Sequence, residues 1–264
     1  MLVFPLSMPG VWLDNDDHQW CFNINQILNE LKSCFWEANT SLNLFNEEMC
    51  IAYSELENGS SFQEFQRDRI RIDEIISDIR LKNGIGPFEL CYEVNQLATD
   101  LLKKEKWENG VEPNELKFRK KFIYAKSFLY SLDCIRELLK VLSNEDNVPF
   151  EIQALLKLMD TSFPQLRAVR NSAHHIEDRA LGFKRVRGKK VKIELQPVNT
   201  GAIRADGGII LLHQLNGTKL GFTMENGQYG EIDVSSTSME TIRVIIQGVF
   251  DSFKWKGRPV HLPS

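Results

Sequence analysis

The sequence predicts a mainly α-helical protein: a helical bundle with a small antiparallel β-meander inserted before the last helix. Three observations predict it. Apolar residues recur at helical spacing through most of residues 1–182. Beyond Gly182 the pattern turns to alternation, and two Asn-Gly dipeptides follow, Asn216-Gly217 and Asn226-Gly227, which suit two-residue hairpin turns. From Thr237 helical spacing returns, with Ile242, Ile245, Ile246, Val249 and Phe253 on one stripe. The organisation is then a bundle over 1–182, a β insertion over 183–236, and a C-terminal helix with its tail over 237–264, completing the bundle.

Ile24, Ile27, Leu28, Leu31, Phe35, Leu42, Phe45 and Met49 predict one long helix over Ile24–Leu56, or two separated near Asn39, broken by Asn58-Gly59-Ser60. A second helix spans Phe62–Leu81 and stops at Asn83-Gly84. Pro87 precedes a third, Phe88–Lys104. Pro113 opens a fourth over Asn114–Leu142, with Leu116, Ile123, Leu129, Leu132, Ile135 and Leu139 on its apolar face. Asn144–Pro149 is a turn, and Pro149–Met159 a short helix. Ser162 and Pro164 start the next helix, which Gly182 ends.

In the β segment, Val191–Leu195, Ile209–Leu215, Thr218–Met224 and Glu231–Val234 read as about four strands, the middle two joined through Asn216-Gly217. Thr237-x-x-Glu240 fits a capping box for the last helix. The tail from Gly257 to Ser264 reads as loop.

The net charge of -4 and pI near 5.8 give no global attraction to nucleic acid, so any such surface must be a local basic patch. Five cysteines without a CxxC pair, and no leader at the N-terminus, are expected to be reduced thiols in a cytoplasm, acting as small buried apolar residues. No apolar run approaches the roughly 20 residues that span a bilayer, so no membrane partner is expected. No metal-ligand cluster or dinucleotide fingerprint occurs, and no cofactor is expected.

The stretch Arg170-Asn171-Ser172-Ala173-His174-His175 stands apart. It brings a fixed positive charge and a proton-transfer group together on one short piece of helix. On a continuous helix Arg170 and His175 are about 140° apart around the axis and about 7.5 Å along it, bracketing a face on which a phosphate could lie. His174, four positions on, is the nearer neighbour, and spacing does not choose between the two imidazoles. Asn171 suits orienting an imidazole or donating to a phosphate oxygen. The competing structural reading is that Arg170 forms a surface salt bridge with a nearby acid, while the histidines cap or line a core.

Arg170-Asn171-x-x-x-His175 resembles the R-polar-x(3–5)-H signature of the HEPN superfamily, helical bundles that carry this motif on a late helix. The resemblance implies a metal-independent endoribonuclease acting as a homodimer, with motifs of both copies lining one composite cleft. It also implies a role in a toxin–antitoxin, antiphage or stress system, with an antitoxin or regulatory protein as a partner beside RNA. Arg170, Asn171 and His175 take the catalytic positions, with His174 and Glu177 as accessory candidates. His175 would deprotonate the attacking 2′-hydroxyl or protonate the leaving 5′-oxygen, and Arg170 would neutralise the transition state. The alternative is a non-catalytic module of the same kind, binding RNA, a nucleotide or a partner protein; a third is a helical scaffold.

Glu177-Asp178-Arg179 follows the motif at once. It reads as an exposed helix face with ion pairs more readily than as a group tuning a histidine. Lys184, Arg185, Arg187, Lys189, Lys190 and Lys192 then place six basic residues within nine positions. They form either a solvated turn or a track for the RNA backbone beside the cleft.

Overall fold

The computed structural model describes residues 1–57 and 60–263. Its helices are α1 (His18–Glu57), α2 (Ser60–Asn83), α3 (Cys91–Glu108), α4 (Asn114–Ser143), α5 (Glu151–Ser162), α6 (Leu166–His174), α7 (Ile176–Arg179) and α8 (Ser236–Ser252). The protein is mainly helical, with small antiparallel sheets, and among the described residues no helix is long and apolar enough to cross a membrane. The chain divides into two compact units, Met1–Phe45 with Phe122–Ser264, and Asn46–Lys121, so that the boundaries fall within α1 and α4.

In the first unit the core is built from the apolar stripes of α1, α4 and α8. Ile24, Leu31, Phe35, Leu42 and Phe45 of α1 are fully buried, as are Phe128, Leu129, Leu132, Ile135 and Leu139 of α4. From α8, Ile242, Ile245, Ile246 and Val249 are buried too. Helix α1 runs without interruption past Asn39, because that side chain turns its amide on the chain start, donating from Nδ2 to Leu2 O at 3.0 Å. The expected apolar face of α4 is rotated at its beginning: Leu116 and Ile123 are exposed, and Phe122 is buried instead. Helix α5 lies on α8 at Gly248, where a Cβ would come within 2.9 Å of a Leu155 methyl.

The motif region is not one helix. Ser162 ends α5, and the motif helix starts at Leu166 and stops at His174. His175 leaves helical geometry (φ -101°, ψ 47°) and links α6 to the single turn of α7. Its N–H closes the last turn of α6 on Asn171 O, while its carbonyl accepts from the N–H groups of Asp178 and Arg179. The angular relation expected for a continuous helix therefore does not apply to Arg170 and His175.

The strands are more numerous and shorter than the sequence pattern indicates. Before α1 lie β1 (Leu6–Met8) and β2 (Trp12–Leu13). The insertion holds β3 (Phe183–Val186), β4 (Lys189–Lys192), β5 (Val198–Asn199), β6 (Arg204–Ala205), β7 (Gln214–Asn216), β8 (Lys219–Thr223) and β9 (Tyr229–Asp233). After α8 come β10 (Trp255–Lys256) and β11 (Val260–Leu262). The tail is thus not loop: β11 pairs with β1 and β10 with β2, both antiparallel. Gln247 of α8 clamps the same edge, accepting from Ser7 N and donating to Ser7 O, each at 2.8 Å.

The sheet β7-β8-β9 packs against α6. Its first hairpin turns at Gly217-Thr218, with Asn216 paired to Lys219, one residue later than the Asn-Gly signal indicates. The positive φ of Gly217 alone matches a type II′ turn. Residues 209–213 lie outside the strand expected there, and His213, at their end, has a positive φ. In the second turn Gly227 has φ 84° and no room for a side chain, since a Cβ would lie 1.8 Å from Glu194 O. Its carbonyl accepts from Gln196 N at 3.0 Å, tying the insertion's first half to the sheet. Helix α8 is capped by Ser235, whose Oγ accepts from Ser238 N, and not by Thr237. Asp233 Oδ2 fixes that hydroxyl at 2.7 Å, which explains the earlier start.

In the second unit α2 packs on α3 through Ile75, Ile79, Val94, Ala98 and Leu102. Lys106 joins the pair, reaching Glu64 at 2.7 Å and Asp68 at 2.8 Å. The break expected at Asn58-Gly59-Ser60 falls largely on residues 58 and 59, outside the described residues. The cysteines depart from the expected burial: Cys34 is buried and Cys21 partly so, but Cys50, Cys91 and Cys134 are exposed. Each exposed one lies outside its helix's buried stripe.

Candidate functional site

Helix α6 is strongly two-faced. Leu166, Val169, Ser172 and Ala173 are buried, whereas Arg167, Arg170, Asn171 and His174 form the outward stripe. Arg167, which the sequence reading passed over, is exposed one turn before Arg170 and adds a second cation to that stripe.

Arg170 does not form a surface salt bridge. Its Nε donates at 2.7 Å to Oδ2 of Asp133 on α4, a residue with only 7% of its surface exposed. Its Nη1 donates to Asn171 Oδ1 at 3.0 Å. Asp133 Oδ1 is buried with no hydrogen-bond partner among the described residues. The guanidinium is thus pinned from one side by a buried carboxylate, with its side chain still 27% exposed on the other. Tyr130, one turn before Asp133 on α4, shares this field. Burial and the Asp133 charge push its phenol above the ordinary value, and Arg170 opposes them. Asp133 was missed by sequence reasoning because its partner lies 37 positions away, and Tyr130 with it.

His174 and His175 are both exposed, so neither lines a core. Their rings meet edge to face, with centroids 5.0 Å apart and planes at 81°. Glu177 Oε1 lies 3.6 Å from His175 Nδ1, beyond hydrogen-bond reach. Arg170, Asn171 and the two histidines thus occupy one helix end, with Glu177 beside it. The shared segment brings them together; it does not align them.

Asp178 and Arg179 do not lie on an exposed helix face. Both are buried, at 1% and 3% exposure. Arg179 donates from Nε to Ser172 Oγ at 3.3 Å and from Nη1 to Phe183 O at 2.8 Å, fastening α7 to α6 and β3. Asp178 is covered by two residues of the basic run, Arg185 Nε at 2.6 Å and Lys190 Nζ at 3.1 Å. Those two lie directly opposite each other on the β3–β4 hairpin, whose Arg187-Gly188 turn has positive φ at both positions. Two of the six basic residues are therefore committed to an internal carboxylate. Among the described residues Lys184, Arg187, Lys189 and Lys192 have no acidic partner within ion-pair distance.

The hydrogen bond from Arg185, then that from Lys190, hold the Asp178 carboxyl below its ordinary value of 3.8. A carboxyl with a depressed folded pKa contributes stability that is fully present above its unfolded pKa, and is lost as the pH falls through the folded one. Thermal unfolding is therefore expected to show no loss of this hairpin anchor from neutral pH down to about pH 4, and a loss below it. Asp178→Asn is expected to lower Tm at pH 7 and to converge on the wild type in acid. A Tm difference that stays constant down to about pH 2 would contradict the linkage.

No group of three or more His, Cys, Asp and Glu residues fit to hold a metal ion occurs among the described residues.

The chain matches no family model, no curated protein and no solved structure.

The likeness of Arg170-Asn171-x-x-x-His175 to the HEPN signature accordingly rests on these residues and their surroundings. Chemically, the arrangement offers a preorganised guanidinium, an amide, two solvent-open imidazoles and, on the hairpin, four cations not engaged by acids. Such a set suits a phosphodiester better than an apolar or cationic ligand.

Proposed function

We propose that the protein is a metal-independent endoribonuclease of the HEPN type. The observation that supports this reading is the pinning of Arg170 by the buried Asp133, next to two exposed imidazoles at the end of the same helix. A guanidinium fixed in advance stabilises developing phosphorane charge without reorganising at the moment of reaction. The 2′-hydroxyl of RNA attacks the adjacent phosphate. His175 removes its proton or protonates the departing 5′-oxygen, with Glu177 and His174 beside it. A homodimer in which two such helix ends share one cleft supplies both an acid and a base. Lys184, Arg187, Lys189 and Lys192 guide the strand. The biological setting consistent with this chemistry is growth arrest or defence, with an antitoxin or other regulatory protein controlling it.

A second reading, a non-catalytic module that binds RNA, a nucleotide or a partner protein, is favoured by one observation. Arg170 already spends Nε and Nη1 on Asp133 and Asn171. The two readings separate in one experiment. Labelled structured and unstructured RNAs are incubated in EDTA with the wild type and with His175→Ala, an exposed substitution that leaves the core intact. Cleavage is expected from the wild type, leaving 2′,3′-cyclic phosphate and 5′-hydroxyl ends, with a loss of about a hundredfold or more in the variant. RNA that is bound but left whole by the wild type would favour the second reading.

A further inference from the structure

We propose that Cys34 and Cys134 form a reversible intramolecular disulfide that ties α1 to α4 at the residue next to Asp133. The two thiol sulfurs lie 2.9 Å apart, although the residues are 100 positions apart in the chain. A disulfide needs about 2.05 Å between sulfurs, so the remaining closure is on the order of 1 Å, within reach of small side-chain rotations. The two thiols are also complementary in access. Cys34 is 6% exposed, whereas Cys134 is open to solvent. No other pair of cysteines makes such a contact among the described residues. Cys21 faces the carbonyls of Leu13 and Asn15, and Cys91 lies against Arg80 and Pro87.

The oxidant is a small-molecule disulfide, with glutathione disulfide as the probe. The thiolate of Cys134 attacks one of its sulfurs. A Cys134–glutathione bond forms, the original disulfide breaks, and the departing thiolate takes up a proton. Cys34 then gives up its proton, attacks Cys134 Sγ and expels the second glutathione as thiol. Two protein thiols are oxidised and one disulfide is reduced to two thiols. Burial first, then the hydrogen bond and charge of Cys134, and the charges of Glu37 and Glu30, push the Cys34 thiol up to about 12. This assigns the first attack to Cys134. Once Cys134 is held in the mixed disulfide, its own share of that shift is gone, which favours the second step.

This inference stands apart from the ribonuclease reading and is tested without it. The full chain is incubated with glutathione disulfide, denatured, alkylated and weighed. Cys34 and Cys134 are expected to escape alkylation together, in one cross-linked peptide pair in monomeric chain, whatever adducts glutathione leaves on the exposed Cys50 and Cys91. Tm is expected to rise by roughly 5–10 °C and to return on reduction. Cys34→Ser is expected to stop at a stable glutathione adduct on Cys134, with no cross-link from that residue. Cys134→Ser, a change at an exposed position, is expected to take up nothing at Cys34. Retention of five free thiols, a wild-type adduct at Cys134 that never resolves, or a cross-link through other cysteines would overturn the proposal.

Discussion

Arg170→Ala is expected to lower stability by roughly 2–3 kcal/mol as well as to abolish RNA cleavage. The stability effect follows from Asp133. Its Oδ2 accepts from Arg170 at 2.7 Å, and its Oδ1 has no partner among the described residues. Removing Arg170 leaves a carboxylate at 7% exposure without its cation. Breaking a fully buried pair from one side costs about 3–5 kcal/mol, and the 27% exposure of Arg170 places this pair somewhat lower. A loss of cleavage in this variant alone would therefore not distinguish chemistry from structure. Replacing both partners does: Asp133→Leu with Arg170→Met exchanges the ion pair for apolar packing and is expected to recover most of the lost stability. If Arg170 neutralises transition-state charge, the double variant stays inactive, with kcat lowered at least about a hundredfold. Denaturant melts and single-turnover cleavage together decide the matter. Recovery of activity with recovery of stability would reduce Arg170 to a structural residue.

What the sequence made legible was whatever depends on neighbours a few positions away. The 3.6-residue repeat of Ile24, Leu28, Leu31 and Phe35 located α1, and Asn83-Gly84 marked the end of α2, since glycine alone takes the φ of 63° found at Gly84 without strain. The hairpin signals located β8 and β9 to within a residue or two, whereas β7 begins five residues after the strand expected from Ile209. Contacts between distant positions were not legible. The tail looked like loop because its partner, β1, lies at the other end of the chain. Cys34 and Cys134 showed nothing of their contact. Asp133 did leave a trace, a charge four residues after Leu129 on the apolar stripe of α4, but nothing local names Arg170 as its partner. The break at His175 was invisible for another reason. Periodicity registers apolar side chains, and there the buried positions are Asp178 and Arg179, two charged residues that are buried because they are paired.

That pairing sets the last expectation, on how the basic hairpin would hold RNA. Arg187→Ala with Lys189→Ala is expected to weaken RNA binding roughly tenfold at low salt, and to reduce the slope of log affinity against log salt by about 1.4, near 0.7 for each single-strand phosphate that is no longer neutralised. Both side chains are exposed and unpaired among the described residues, so their full charge is available to a phosphate. Arg185→Ala with Lys190→Ala removes the same charge from neighbouring positions of the same hairpin. Those two cations already serve Asp178, at 2.6 and 3.1 Å, and recruiting them to RNA would strip that buried carboxylate of its partners. The second double variant is therefore expected to change the salt slope little and to lower Tm instead. Binding titrations over a range of salt, with thermal melts of both variants, give the contrast. Equal slopes for the two variants would mean that RNA senses only the net charge of the hairpin, whereas a wild-type slope in Arg187→Ala/Lys189→Ala would move the RNA track off β3–β4 altogether. The arrangement has a physical logic: a hairpin that offers cations to a strand must itself be held, and here Asp178 holds it from the turn that directly follows the two histidines.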